Sequence, residues 1–431
     1  METSGVCARC HHLFSPKPKR ILALDGGGVR GAITVAFLKR IELLLDRHAK
    51  REVRLADYFD LIGGTSTGAI IAGALALGRR VSEIEEFYKE RAHLAFKKTR
   101  WHIPALKPKF DHRGLRAEIE KIVGDCTLGD IERLKTGLCI VAKRLDTGSP
   151  WILTNSPYAP YWETPPANPA TKKREYIGNR YYALSNLVRA STAAPHFFDP
   201  ELLPIVEGKE PLPRIVAAPF DQPFYVRVFQ AALEYCGLRK PVDDIGDYGL
   251  FVDGGVSPYN NPCIALLLVA TLAPFGLRWK SGPENLSFIS IGTGMFRQRV
   301  SYNRIRFFIR PQLALNALLS VISDNEMLTL TQMQWMGECK EPWKINSEIK
   351  KLTGDGPSNG KLFRLSRFDI RLEQSWLKKH LGRELTQEAV NELREMDNPK
   401  NVKTLYELAE QAAEYQIKED EWKLEPQFAS Y

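Results

Sequence analysis

Gly64-Thr65-Ser66-Thr67-Gly68 sets one hydroxyl between two glycines. A GxSxG turn that leaves a buried strand and enters a helix is too tight for side chains at its flanks. It lifts the serine oxygen above a sheet, where it can attack an acyl carbon. FDLI before the turn and AIIAGALAL after it supply the strand and the helix, and the positive end of that helix faces the serine. A second glycine-rich turn lies upstream, Asp25-Gly26-Gly27-Gly28-Val29-Arg30-Gly31. Consecutive glycines opening a helix leave backbone N–H groups free to bind an anion. Two readings compete for it. Gly26, Gly28 and Gly31 fit a dinucleotide fingerprint, which expects an acid at the tip of a second strand about 20 residues on. Here Asp46 falls inside the helical stretch IELLLDRH instead. The better reading is an oxyanion hole for a tetrahedral intermediate, with Arg30 either reinforcing it or standing as a surface cation at a helix start.

A serine hydroxyl is a poor nucleophile without a base. Of the eight histidines, His11 and His12 lie in the terminus, His48 ends a helix, and His93, His102 and His112 sit in a basic segment. His380 belongs to the C-terminal region, which leaves His196 in APHFF as the histidine in a suggestive place. The other candidate is Asp253 in Phe251-Val252-Asp253-Gly254-Gly255, at the carboxyl end of a buried strand, where α/β sheets place their sites. Partial desolvation there raises a carboxyl pKa and makes the group a usable base. A plain cap on a Gly-Gly turn is the bland account of the same aspartate.

These residues need a scaffold. Residues 21–24 (ILAL) form an apolar run ending at Asp25, and from residue 32 to 45 apolar side chains recur at helical spacing. A second strand–turn–helix unit follows through 58–62, GGTSTG and 69–77. Further strands are expected at 138–142, 151–154, 250–252 and 286–291, and helices at 81–96, 114–123, 183–190 and 262–273. Strands alternating with helices predict a mainly parallel sheet covered on both faces. Proline-rich stretches at 155–175 and 200–223 read as long surface loops. Three regions result: a loose lead-in at 1–18, an α/β domain at 19–295, and a mainly helical extension at 296–431 without strand signals. Within that extension, residues 384–424 read as amphipathic helices.

Composition narrows the partners. Seven scattered cysteines argue against a disulfide framework and for a reducing compartment. The N-terminus lacks the apolar core of a signal peptide, and the apolar run 264–273 is too short to span a bilayer. The expected location is cytoplasmic, with transient contact at the membrane surface. The net charge is +9, which suits nucleic acid or anionic lipid headgroups. Two basic-aromatic segments, 96–110 and 296–323, suit docking on an anionic bilayer or simply a solvated face. No recognised nucleic-acid module is present, so none is expected to bind. Cys7, Cys10, His11 and His12 look locally like a metal clip but lack a second ligand pair at suitable spacing. No metal and no cofactor are expected.

Five stretches in order, DGGGVRG (25–31), GTSTG (64–68), RASTAAPHFF (189–198), VDGGVSPYNNP (252–262) and ISIGTG (289–294), make residues 20 to about 295 resemble the patatin-like phospholipase family. The resemblance implies a three-layer α/β/α fold and phospholipase A-type hydrolysis of acyl esters of glycerolipids through a Ser–Asp dyad without histidine. Carried over by motif, Ser66 is the nucleophile and Asp253 the base. The backbone of Gly26, Gly27 and Gly28 is then the oxyanion hole, while Gly31, Gly64, Gly68, Gly254 and Gly255 shape the turns. Ala194-Pro195 and Asn260-Asn261-Pro262 would form the walls. Some bacterial members similar to this family are switched on by a cyclic nucleotide, and residues 296–431 could serve a regulatory ligand or a homo-oligomer contact. The rivals are a nucleotide-binding oxidoreductase using the loop from Gly26 to Gly31, a non-catalytic binding protein, and a histidine triad through His196.

Overall fold

The computed structural model describes residues 7–95, 109–172, 174–195, 197–206, 248–297 and 310–419, without the side chains of 112, 310–316 and 318. His196, most of the basic segment 96–110, residues 207–223 of the second proline-rich loop and residues 298–309 lie outside the described residues.

Among the described residues, nine strands form one sheet: β1 (Lys19–Leu24), β2 (Leu61–Thr65), β3 (Gly137–Arg144), β4 (Ser149–Thr154), β5 (Glu201–Pro204), β6 (Tyr248–Asp253), β7 (Leu286–Ile291), β8 (Gly337–Glu338) and β9 (Phe363–Phe368). Their order is β5-β6-β3-β2-β1-β7-β9-β8, with β4 also on β3. The central run β3-β2-β1-β7-β9-β8 is parallel, whereas β4, β5 and β6 join at one end through antiparallel pairings.

Both faces are apolar, which parallel strands covered by crossover helices require. Along β1, Leu22 and Leu24 join Phe37, Ile71 and Val188 in one core. Ile21 and Ala23 face the other core, with Leu266, Phe288 and Phe363. Side chains alternate across a strand, so these adjacent residues serve the two faces and three layers follow.

Two expectations are revised. The first concerns the lead-in: Ala8–Phe14 is a helix with Leu13 buried in the second core. His12 Nδ1 contacts Asp60 Oδ1 at 2.8 Å, and the Trp279 indole donates to the Leu13 carbonyl at 2.9 Å. A seven-residue helix has too little periodicity to register in sequence; its docking is tertiary. The second concerns residues beyond 296, which do contain strands. β9 lies alongside β7, and β8 closes that edge. FRLSRF carries charges that mask its alternation, because Arg367 is buried by ion pairing. The rest of this region is mainly helical, with Arg310–Met336 the longest element. Helix Val402–Gln416 buries Leu405, Leu408, Ala409 and Ala412 in the same core as Phe37. Among the described residues no helix is long and apolar enough to cross a membrane.

Candidate active site

β2 ends at Thr65 and helix Thr67–Ala76 begins after a single intervening residue, so the reversal falls on Ser66. Its φ of 55° and ψ of −124° lie in a region that residues with a Cβ rarely enter, and such outliers cluster at functional sites. The turn closes because its flanks are bare. A Cβ at Gly64 would lie 2.0 Å from the Gly68 carbonyl oxygen, and one at Gly68 2.2 Å from the Leu24 carbonyl oxygen. The Ser66 N–H donates to Ser191 Oγ at 2.9 Å, and the Ser191 hydroxyl donates to the Val141 carbonyl at 2.6 Å. Ser191 therefore ties the strained turn to β3.

Asp253 reaches the same point from the far side of the sequence. On β3, Val141 pairs with Thr65 of β2 and Ala142 pairs with Asp253 of β6. β4 occupies the other edge of β3 over these residues, so β2 and β6 meet end to end along one edge. The Ser66 hydroxyl then donates to Asp253 Oδ2 at 2.6 Å. The other oxygen, Oδ1, accepts from the Gly255 N–H at 2.7 Å. Burial pushes the carboxyl up to about 6, while the Ser66 and Gly255 hydrogen bonds and the Arg189 charge pull it back. A carboxylate poised there is ionised at neutral pH and still basic enough to accept a proton.

The glycine loop lies across from Ser66. The Gly26 N–H is engaged by the Asn260 carbonyl at 3.1 Å, which removes it from the expected donor set. No protein acceptor is found for the N–H groups of Gly27 and Gly28 among the described residues. Both residues line the cleft with Ser66 and Asp253. Gly28 has φ +61°, and a Cβ there would lie 2.1 Å from the Met396 carbonyl oxygen. That same carbonyl accepts the Val29 N–H at 2.8 Å. The loop is held from beneath by Asp25, whose two oxygens accept from Arg367 at 3.0 and 2.7 Å. Thr293 Oγ1 adds a bond to the Gly26 carbonyl at 2.8 Å. Arg30 is buried and not a surface cation. It donates to the Gly294 carbonyl at 3.1 Å and its guanidinium lies 5.3 Å from the centre of the Phe296 ring.

The cleft above the Ser66 hydroxyl has a volume of about 640 Å³. Ile70, Phe87, Leu115, Phe198, Leu319 and Ile322 give it apolar walls, suited to a hydrocarbon chain. Leu319, Ile322 and Glu326 come from helix Arg310–Met336, and Arg394 to Asp397 from the loop that carries Met396. Glu326 bonds the Asn260 amide, and desolvation with the nearby Asp25 charge pushes its pKa up to about 7.

Sequence reasoning missed Ser191, Thr293, Glu326, Arg367 and Met396. The first two sit inside RASTAAPHFF and ISIGTG, where a hydroxyl among small residues was the available signal. The other three have no local signal, because their partners lie on distant segments. Asp46, wanted by the dinucleotide reading, lies in helix Gly31–Ala49 and is paired with Arg80 at 2.6 Å. His196 lies outside the described residues. No described histidine lines the cleft.

A family model described as Patatin-like phospholipase matches residues 22–267. Two curated relatives are described as cGAMP-activated phospholipases. The one from Escherichia coli is 34% identical over 192 residues, covering 43% of this chain and 49% of the relative. The one from Vibrio cholerae is 31% identical over 193 residues, covering 42% and 49%. Patatin group M-3 from Solanum tuberosum is 23% identical over 352 residues, covering 77% of this chain and 75% of that protein. The chain thus matches about half the length of the two bacterial relatives.

Proposed function

Because the chain belongs to the patatin-like phospholipase family, we propose that it hydrolyses fatty acyl esters of glycerophospholipids or related membrane lipids, with Ser66 as nucleophile and Asp253 as general base. As the Ser66 oxygen bonds to the ester carbonyl carbon, its proton passes to Asp253 Oδ2. The carbonyl oxygen becomes an oxyanion facing the Gly27 and Gly28 N–H groups. Collapse of the intermediate breaks the ester bond, Asp253 returns the proton to the departing lysolipid oxygen, and an acyl-Ser66 ester remains. Water then gives a proton to the same carboxylate while attacking the acyl carbon, and the fatty acid leaves as Ser66 regains its hydrogen.

The observation that carries this reading is the 2.6 Å bond from the Ser66 hydroxyl to Asp253 at the floor of an apolar cleft. Fatty acid release from defined phospholipid vesicles tests it. Ser66→Ala and Asp253→Asn should each lose about 10³-fold or more in turnover, and a fluorophosphonate probe should label wild type and not Ser66→Ala. Full activity in Ser66→Ala would sink the reading. Control by a small ligand belongs to the same proposal. The two bacterial relatives are described as cGAMP-activated, and here residues beyond 296 touch the glycine loop through Arg367 and Met396.

A further inference from the structure

A second cavity, of about 440 Å³, opens where the end of β9 meets the 340–351 loop, helix Gln374–Leu381 and the end of helix Val402–Gln416. One wall is a row of rings. Trp343 and Trp376 stack with centroids 6.4 Å apart and planes 20° off parallel. His380 continues the row at 4.9 Å from Trp376, and Tyr415 follows at 5.6 Å. Cations stand opposite and around it. Lys344, Lys351, Arg371 and Lys379 line the cavity. Among the described residues none of these four is in an ion pair, and Glu341 is the single carboxylate side chain lining the cavity. The Arg371 guanidinium lies 5.5 Å from the Trp343 ring centre and donates to the Lys344 carbonyl at 2.5 Å, which fixes its plane and leaves further N–H donors for an anion.

Four like charges around one hollow repel one another, and a bound polyanion relieves that repulsion through charge-assisted hydrogen bonds. The stacked indoles ask for something flat: a base on an aromatic face contributes about 1–3 kcal/mol. We infer that this cavity is a nucleotide site, with a base lying against Trp343 and Trp376 and phosphate held by Lys344, Arg371 and Lys379. The hollow is concave and has the volume of a small-molecule site. A bilayer surface would instead favour rings and cations that project.

The cavity also touches the proposed catalytic machinery. Arg367 lines it, keeps an unpartnered buried Nε, and carries the two bonds to Asp25 beneath the glycine loop. Gln416, another lining residue, bonds both the N–H and the carbonyl of Asp369 at 3.3 and 2.6 Å, and Asp369 is the second partner of Arg367. Occupancy therefore bears on the support of the loop that faces Ser66. Binding stands on the cavity alone; the effect on turnover rests on the hydrolase reading, so the two are measured separately.

Intrinsic tryptophan fluorescence of the full chain is titrated with AMP, ATP, GMP and cGAMP, and with adenosine and pyrophosphate as half-ligands. At least one nucleotide should give saturable quenching, with adenosine and pyrophosphate each about tenfold weaker or more. Lys379→Glu, an exposed change, should weaken binding about tenfold at unchanged melting temperature, and Trp376→Leu should abolish the quench. The best nucleotide should change fatty acid release by wild type and not by Lys379→Glu. The site is overturned if no nucleotide binds at about 1 mM or if pyrophosphate binds as tightly as nucleotides. It is equally overturned if Lys379→Glu loses only phosphatidylglycerol vesicle binding. Saturable nucleotide binding without lipid hydrolysis would remove the enzyme and keep the site.

Discussion

At the residue scale, the pair Ser66–Asp253 makes a pH prediction whose sign follows from burial. With Asp253 as the proposed base, its ionised form is lost as pH falls through about 6, so kcat/KM should rise about tenfold per pH unit below that point and level off above it. Free histidine titrates near 6.5, so the profile must be read beside Asp253→Asn and His196→Ala. The dyad requires the first to be inactive and the second to keep its activity. The same shift bears on stability. The native carboxyl holds its proton more tightly than the unfolded chain, so its contribution to stability falls as pH rises from about 4 to about 6. At neutral pH the ionised Asp253 is then a standing cost, and Asp253→Asn should keep or raise the melting temperature while abolishing turnover. A marked fall in melting temperature would contradict that account. On the proposed mechanism Ser191 positions the nucleophile: without its hydroxyl the Ser66 N–H loses its partner. Ser191→Ala should lower kcat about 10- to 100-fold with little change in KM, and Ser191→Thr should restore part of it.

At the element scale, the glycine loop is fixed by residues far from it in sequence. Asp25 and Asp369 share Arg367, and all three are buried. Arg367→Ala leaves two buried carboxyls without their cation, at a cost of about 3–5 kcal/mol, which thermal unfolding should register as a large loss. Arg367→Lys keeps the charge but not the bidentate bond, so it should recover part of the stability and less of the activity. Gly28→Ala meets both a left-handed backbone and the Met396 carbonyl. It should displace the loop, with kcat falling about 10²-fold while the overall fold, followed by circular dichroism, persists.

At the scale of the whole molecule, the described residues from 310 to 419 are structurally continuous with the rest. β9 covers the edge of β7, and helix Val402–Gln416 packs its apolar face on helix Gly31–Ala49. A chain ending at Met295 would expose a parallel strand edge and the apolar side of a central helix, and such surfaces aggregate. It should be insoluble or bind hydrophobic dyes. A soluble, cooperatively melting fragment would show that the region is an accessory. Leu405→Ala, at a fully buried position, should lower stability by about 2–5 kcal/mol as read by denaturant unfolding.

Much of this was legible in the chain. ILAL before a glycine turn and FDLI before GTSTG announce two buried strands feeding two helices, because local apolar runs and glycines are local facts. The same holds for FVDGG and LSFISI, and for the assignment of Ser66 and Asp253 as candidates. The strand FRLSRF was not legible, since its buried arginine is tolerated only when Asp25 and Asp369 are already in place. Nor was the engagement of the Gly26 N–H by the Asn260 carbonyl, which joins segments far apart in the chain. The residue types at positions 66 and 253 come from the sequence alone. That these two, 187 positions apart, stand within one hydrogen bond was decided by β3, whose single free edge takes β2 and then β6 at successive residues.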